Sequence, residues 1–445
     1  MKPPAPGRAF VLAAALAAAG FPPAGAEERT VTLEQALALA AEHNPELQAA
    51  AARVEAQQAR AESVRRTLWP RLALATAWSR TDLPAGAFAN KLNAGAFTAA
   101  DFDLGALNDP AALGHLGTAV QLEVPIDVFG KVGTAARSLA ATGEAAAAGR
   151  RDAAEEVRAR VVELYRRAEV AGRAVGVTER TLAVATAREA EIDARVQTGG
   201  ALAADRLRAR ARRREREADL AARRGEQRMA QAGLARLLGA PADVSYVPTD
   251  APPQVAPLAG EEAEWVARAR GGRPALESAR RRRDAAEAQV SAERKGRLPD
   301  LGAFGHVWDN RVEAGRGAQA WAFGVSVRWT PFDPGRAKRL AASTAELRAV
   351  EQEARAAEDQ VRLEVSLAYR RAVTARERHA AAVGGAEEGR EALRVVQERR
   401  AAGLATLTDE LETETAALAA ALAEIAAAAE VAIADAALRR AAGGV

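Results

Sequence analysis

The sequence predicts a mainly α protein with a small β part, and three observations carry that prediction. Ala, Arg, Glu and Leu, all good helix formers, dominate the chain. A few short segments break the pattern with strict alternation. In "WAFGVSVRW" (321–329), Trp321, Phe323, Val325, Val327 and Trp329 share one face, as in a strand. The chain also repeats itself: Pro45, Leu47 and Pro70 match Pro274, Leu276 and Pro299, each 229 positions on.

Composition narrows the architecture. Of 445 residues 49% are hydrophobic but only 4% aromatic, so small side chains must supply most of the packing. Thin layers of closely approached helices fit that composition better than one thick core. The absence of Cys excludes disulfides, thiol chemistry and Cys-ligated metal.

Residues 1–26 read as a secretory signal peptide. Lys2 and Arg8 precede the apolar run Ala9 to Phe21, and Ala24-Gly25-Ala26 is a small-x-small cleavage pattern, placing the cut between Ala26 and Glu27. A membrane anchor is the alternative, but the run is too short to span. Removing the leader leaves 60 basic and 59 acidic residues, and no basic block free of acids survives. Nucleic acid is therefore not an expected partner. Later apolar runs carry charges, as Glu424, Glu430 and Asp435 do within Ala416 to Leu438, so no spanning helix is expected. Exported chains can still enter a membrane as β-barrels.

The first copy, 27–240, opens with a helix at Pro45, N-capped by Asn44. A strand pair at 71–80 and 117–126 follows, flanking a Gly/Asn/Asp-rich loop. A long helix from about Gly133 then keeps a heptad seam (Val157, Val161, Leu164, Ala168, Ala171, Val175 and onward to Val196). About 65 helical residues extend roughly 100 Å. A tip turn at Gly199 and Gly200 reverses the chain. After a Pro-rich linker, 241–262, the second copy, 263–445, repeats the plan with strands 300–309 and 321–330 and a tip near Gly403. Tyr165 and Tyr369, each in "YRRA", lie 34 positions before Gly199 and Gly403. Four strands cannot close a barrel, and an open edge in lipid leaves backbone groups unsatisfied, so the chain must oligomerise if it spans.

"LEQALALAAEHNPEL", "LWPRLAL", "GRLPDLGAF", "VPIDVFGK", "TPFDPGRA", "TGGALAADRL" and "AAGLATLTDELE" occur in order over nearly the whole mature chain. In this the chain resembles the TolC family of outer-membrane efflux and secretion channels. The resemblance implies a homotrimer whose long antiparallel helical hairpins form an α-barrel across the periplasm. Four strands per protomer would complete a 12-stranded transmembrane β-barrel in the outer membrane of a Gram-negative-type cell. It implies partners too: a periplasmic adaptor docking near Gly199, Gly200 and Gly403, an inner-membrane transporter, and outer-membrane lipid. Trp78, Trp321 and Trp329 become membrane-interface aromatics, with packing under a helix layer as the alternative. Asp205, Asp409 and Glu412 match acidic positions of the family's periplasmic gate, though helix-end charges would look the same. Arg400 and Ala405 stand where well-known members carry gate-tying residues, so Arg206, Arg399 or Arg400 becomes the candidate latch.

No cofactor is implied, and the sequence lacks H-E-x-x-H, G-x-x-x-x-G-K-[ST] and G-x-S-x-G, so catalysis is not expected. A periplasmic adaptor and a coiled-coil scaffold remain the rival readings. An adaptor normally presents a single hairpin in a β-rich domain, and a scaffold has no use for four patterned strands.

Overall fold

The computed structural model describes residues 27–241, 243–312 and 317–444. The leader and Ala26 lie outside them, as does part of the second strand connection. In chain order the elements are β1 (Glu27–Val31), α1 (Leu33–His43), α2 (Pro45–Arg66), β2 (Arg71–Thr81), α3 (Pro84–Asn93), a 3-10 turn (Ala99–Phe102), α4 (Leu104–Asn108), β3 (Leu113–Ile126), α5 (Lys131–Gln197) and α6 (Ala203–Leu237). Then come β4 (Val244–Pro248), α7 (Glu262–Gly272), α8 (Pro274–Lys295), β5 (Asp300–Val312), β6 (Gly317–Arg328), α9 (Arg336–Ala401) and α10 (Leu407–Ala442).

The chain forms two compact units, and they cut across the sequence copies. One takes residues up to 43, 161–253 and 381–429; the other takes 44–160, 254–380 and 430 onward. A single helix buries only a stripe, so each long helix needs lateral partners, and these come from both halves of the chain.

In the first unit, β1 pairs in parallel with β4 from Glu27↔Val244 to Val31↔Pro248. The Pro-rich segment is thus part strand, a feature its composition hid. Tyr165 on α5 ties this pair down: its hydroxyl donates to Val31 O (3.0 Å) and accepts from the backbone N–H groups of Thr249 and Asp250 (both 3.3 Å). Burial pushes the phenol's pKa up. Beside it, Arg166 and Glu169 form a buried ion pair at 2.7 Å.

The second unit holds an apolar cluster of Trp265, Ala269, Leu276, Val361, Val365, Ala368, Ala372, Leu438, Ala441 and Ala442. Small residues bring helices into backbone contact, as the composition requires. Ser138 on α5 donates to Ala285 O on α8, and Ser278 on α8 donates back to Ala145 O, each at 2.9 Å. At the start of α2, Asn44 accepts from the N–H groups of Glu46 and Leu47 (2.9 and 3.1 Å), capping the helix ahead of Pro45. Arg273, its counterpart before Pro274, does something else. Its buried guanidinium meets Asp152 (3.1 Å) and Glu364 (3.3 Å) and donates to Arg440 O. Burial lowers its pKa, opposed by Asp152.

The four longer strands form one antiparallel sheet in the order β2-β3-β5-β6. β3 begins at Leu113, before the expected 117, and β5 runs to Val312, past the expected 309, because the two strands stay paired out to His115↔Val312. The expected loop after β2 is largely folded into α3, the 3-10 turn and α4. Phe88, Phe97 and Phe102 pack edge to face (4.6 and 5.0 Å between centroids), and Lys91 pairs with Asp101 at 2.6 Å. That pairing, with hydrogen bonds from Thr98, holds the Asp101 carboxyl at about 2.

One expectation needs correction. Over Thr408–Ala442, α10 is long and apolar enough to cross a membrane by length and composition. Its charges are too sparse to fail that test, but two of those within the apolar run are paired with α9. Asp435 forms a two-pronged pair with Arg376 of α9 (2.8 Å for both nitrogens), and Glu424 meets Arg390 of α9 at 2.6 Å. Ion pairs between neighbouring helices mark packing on α9, not immersion in lipid.

Candidate functional site

The sheet has two chemically distinct faces, fixed by its register. Leu74, Val120, Val307 and Trp321 stand on one rung; Leu72, Leu122 and Phe323 share the next with Gly305. Val124, Ala303 and Val325, then Ile126, Leu301 and Val327, continue the same face. The belt is apolar throughout and faces solvent in the single chain: Leu72, Phe323 and Val325 are each more than 70% exposed. Above it a polar rung of Thr76, Thr118, Asp309 and Gln319 ends the run. The opposite face carries Arg71, Gln121, Glu123, Asn310 and Arg328, and the rings of Phe304, His306 and Trp308, among Ala and Gly.

The three singled-out tryptophans lie at the margins of the belt. Trp321 is on its last apolar rung, stacked on Phe323 (5.3 Å, 10°). Trp78 stands beyond the polar rung, opposite Leu116. Trp329 falls just past β6, outside the strand expected to hold it, and its indole N–H donates to Arg297 O at 3.1 Å. All three are mostly exposed. The edges of β2 and β6 have no strand partner among the described residues.

At the hairpin turns, Gly199 and Gly403 have φ of 78° and 74°, the left-handed conformation that favours Gly at a helix end. The N–H groups of Gly199 and Gly200 return to Val196 O and Arg195 O; those of Gly403 and Leu404 return to Arg400 O and Arg399 O. The acids beyond these turns are all engaged. Asp205 accepts from Leu202 N–H (3.3 Å) and pairs with Arg208 (3.1 Å). Asp409 accepts from the N–H and hydroxyl of Thr406 (2.9 and 2.7 Å), and these bonds hold its carboxyl below the ordinary range. Glu412 pairs with Arg188 of α5.

Of the candidate latch residues, Arg400 pairs with Glu410 of its own hairpin and Arg206 with Asp193 (3.8 Å). Sequence reasoning missed Arg188, because only folding brings α5 beside α10. Arg188 and Glu412 line a cavity of about 830 Å³ whose wall also includes Arg195, Asp205 and Arg212. Among the described residues no cluster of His, Asp and Glu is placed to hold a metal ion.

The family model for outer membrane efflux proteins matches residues 36–240 and 265–444, most of the chain. The chain belongs to the outer membrane efflux protein family. It is thus an outer-membrane protein, of a family that forms efflux channels extending into the periplasm and acts as conduits rather than as enzymes. Among curated proteins no sequence matches it. Solved structures share the efflux-channel fold at low identity. A Pseudomonas aeruginosa membrane protein is 22% identical with a TM-score of 0.73, over 92% of this chain and 93% of its own. The Campylobacter jejuni CmeC outer membrane channel is 17% identical with a TM-score of 0.73, over 93% and 85%. The open state of the Neisseria gonorrhoeae MtrE outer membrane channel is 22% identical with a TM-score of 0.69, over 93% and 89%.

Proposed function

We propose that the protein is the outer-membrane channel of a tripartite efflux or type I secretion system. It works as a passive homotrimeric conduit, opened when a periplasmic adaptor and an inner-membrane transporter engage it. One observation carries the reading: a four-stranded sheet with an apolar face, a polar face and two unpaired edges. Lipid tolerates such a sheet only if its edges are closed. Three copies, joined β6 to β2, make a closed 12-stranded barrel with the belt outward and Trp78, Trp321 and Trp329 at the interfaces.

The duplicated sequence (27–240 and 263–445) supplies each protomer with two strand pairs and two hairpins, and the hairpins of three protomers line the periplasmic α-barrel. The turns at Gly199, Gly200 and Gly403 are where the adaptor docks, and Asp205, Asp409 and Glu412 belong to the gate. Transport energy comes from the partner transporter.

Because the chain has no Cys, the closure test is clean. Single Cys residues placed on β2 and β6 should crosslink detergent-extracted protein into dimers and trimers and nothing larger. Crosslinks extending to higher oligomers, or a stable folded monomer by light scattering, would defeat the closed ring.

A further inference from the structure

The sheet face opposite the apolar belt carries a column of three rings on β5. Phe304 and His306 have centroids 5.3 Å apart at 80°; His306 and Trp308 are 5.3 Å apart at 26°, a stacked pair. β6 sets small residues beside the whole column, and β3 does so only at Ala119. Trp308 lies between Ala119 and Ala320, His306 faces Ala322, and Phe304 faces Gly324. A Cβ at Gly324 would stand 2.9 Å from Phe304 Cζ, so the ring lies across β6 only because that position is Gly.

The column therefore has a low flank along β6, at Ala320 and Ala322. Chain from the segment after α3 comes down at one end, where a Cβ at Gly95 would stand 3.3 Å from that of Ala318 on this same face. Gln121 and Glu123 lie alongside on β3, opposite His306 and Phe304. A face that lines water retains three rings at a hydrophobic cost unless something covers them.

We propose that Phe304, His306 and Trp308 form a transit site for flat aromatic cargo, one ladder per protomer. The inference rests on the conduit reading, which turns this face to the pore. Aromatic faces associate in offset or edge arrangements with centroids about 4.5–7 Å apart. Ala320 and Ala322 on β6 leave room for a ring system beside Trp308 and His306, and the even spacing passes it from one ring to the next. Glu123 and Gln121 offer a charge and an amide to polar or cationic substituents.

Ethidium is the probe, and tetraethylammonium, a monocation without rings, is the control. Each is added to trimers in planar bilayers and its current blocks are timed. Wild type should hold ethidium longer than tetraethylammonium. Trp308→Ala with His306→Ala should shorten ethidium blocks by about tenfold, the size of a lost stacking contact, and leave tetraethylammonium blocks unchanged. Ala320→Leu keeps every ring but fills a flank. A purely structural column predicts no change there, whereas a binding ladder predicts shortened ethidium blocks. Trp321→Ala, on the other face, should have no effect. Unchanged ethidium blocks in Ala320→Leu, or in the double variant, overturn the ladder; should the double variant fail to assemble, Ala320→Leu decides alone. A wild-type trimer that conducts no ions would instead overturn the conduit.

Discussion

Arg188 on α5 and Glu412 on α10 form an ion pair, although 224 positions separate them in the chain. The pair joins the first hairpin to the second within one unit. Both groups are partly exposed, so the bond adds little to stability, but a weak bond between two elements suits a gate. Arg188→Ala and Glu412→Ala should each raise the open probability in planar bilayers without dissolving the trimer. The exchanged pair Arg188→Glu with Glu412→Arg should restore wild-type gating. Single variants that gate normally would leave the pair no role as a latch.

Asp409 caps α10, and the cap sets a pH window. Hydrogen bonds from Thr406 lower its pKa in the folded chain, so the contribution is complete above the unfolded carboxylate value. It is lost as pH falls through the lower folded value. Asp409→Ala should speed hydrogen exchange in the first turn of α10 at neutral pH, and the difference from wild type should vanish on strong acidification. If three copies of Asp409 and Glu412 also ring a pore, the double Ala variant should lose cation selectivity and block by trivalent cations. Unchanged block would confine both acids to helix capping and pairing.

The two faces of the sheet should answer differently to charge. Val325→Arg on the apolar belt should cost roughly 2–4 kcal/mol if it lies near mid-bilayer, seen as trimers that melt to monomers at lower temperature on gels. Ala322→Arg, on the polar face, should leave trimer melting unchanged and alter conductance. Equal sensitivity at both positions would mean the faces are not sorted between lipid and water.

Arg273 holds a charged cluster together. Arg273→Ala leaves Asp152 without this cation while Glu364 keeps Arg440 (3.2 Å), at a cost of about 3 kcal/mol, the low end for a broken buried pair. A lower midpoint of thermal unfolding by circular dichroism checks this. Asn44→Ala removes the cap of α2, about 1 kcal/mol, and should shift the midpoint less.

The mature chain should begin at Glu27, the first residue of β1. N-terminal sequencing of the membrane-bound protein tests this, and finding Met1 there would refute cleavage at Ala26.

The strands were legible because a half-buried strand writes period two into its residues and these end in aromatics. Their limits were not, since residues up to Leu116 read as part of the Gly/Asn/Asp-rich loop while pairing with β2 and β5 carries β3 back to Leu113. Helix α3 was hidden by its Gly and Asn, and tertiary contacts of Phe88, Phe97 and Lys91 hold it. The tip turns were legible because Gly199 and Gly403 punctuate long helices. The partners of the tip acids were not, because the pairing of Arg188 with Glu412 depends on which helices become neighbours. The Tyr165 and Tyr369 repeat was visible as a pattern, but its use was not. Each hydroxyl pins connecting chain to a long helix, Tyr165 at Val31 and Tyr369 at Gly260 (3.4 Å).

The interleaving of the two compact units also sets a timetable. The cluster around Trp265 and Val365 is completed by Leu438, Ala441 and Ala442, far along the chain from Trp265. That cluster stays open until α10 joins α7, α8 and α9, so a chain still being made is incompletely packed there. Contacts spanning such sequence distances are slow to form and leave apolar surface open meanwhile. Periplasmic factors that shield unfinished chains are the expected aid to such biogenesis, and shortening α10 by two turns should leave protease-sensitive polypeptide instead of a smaller folded product.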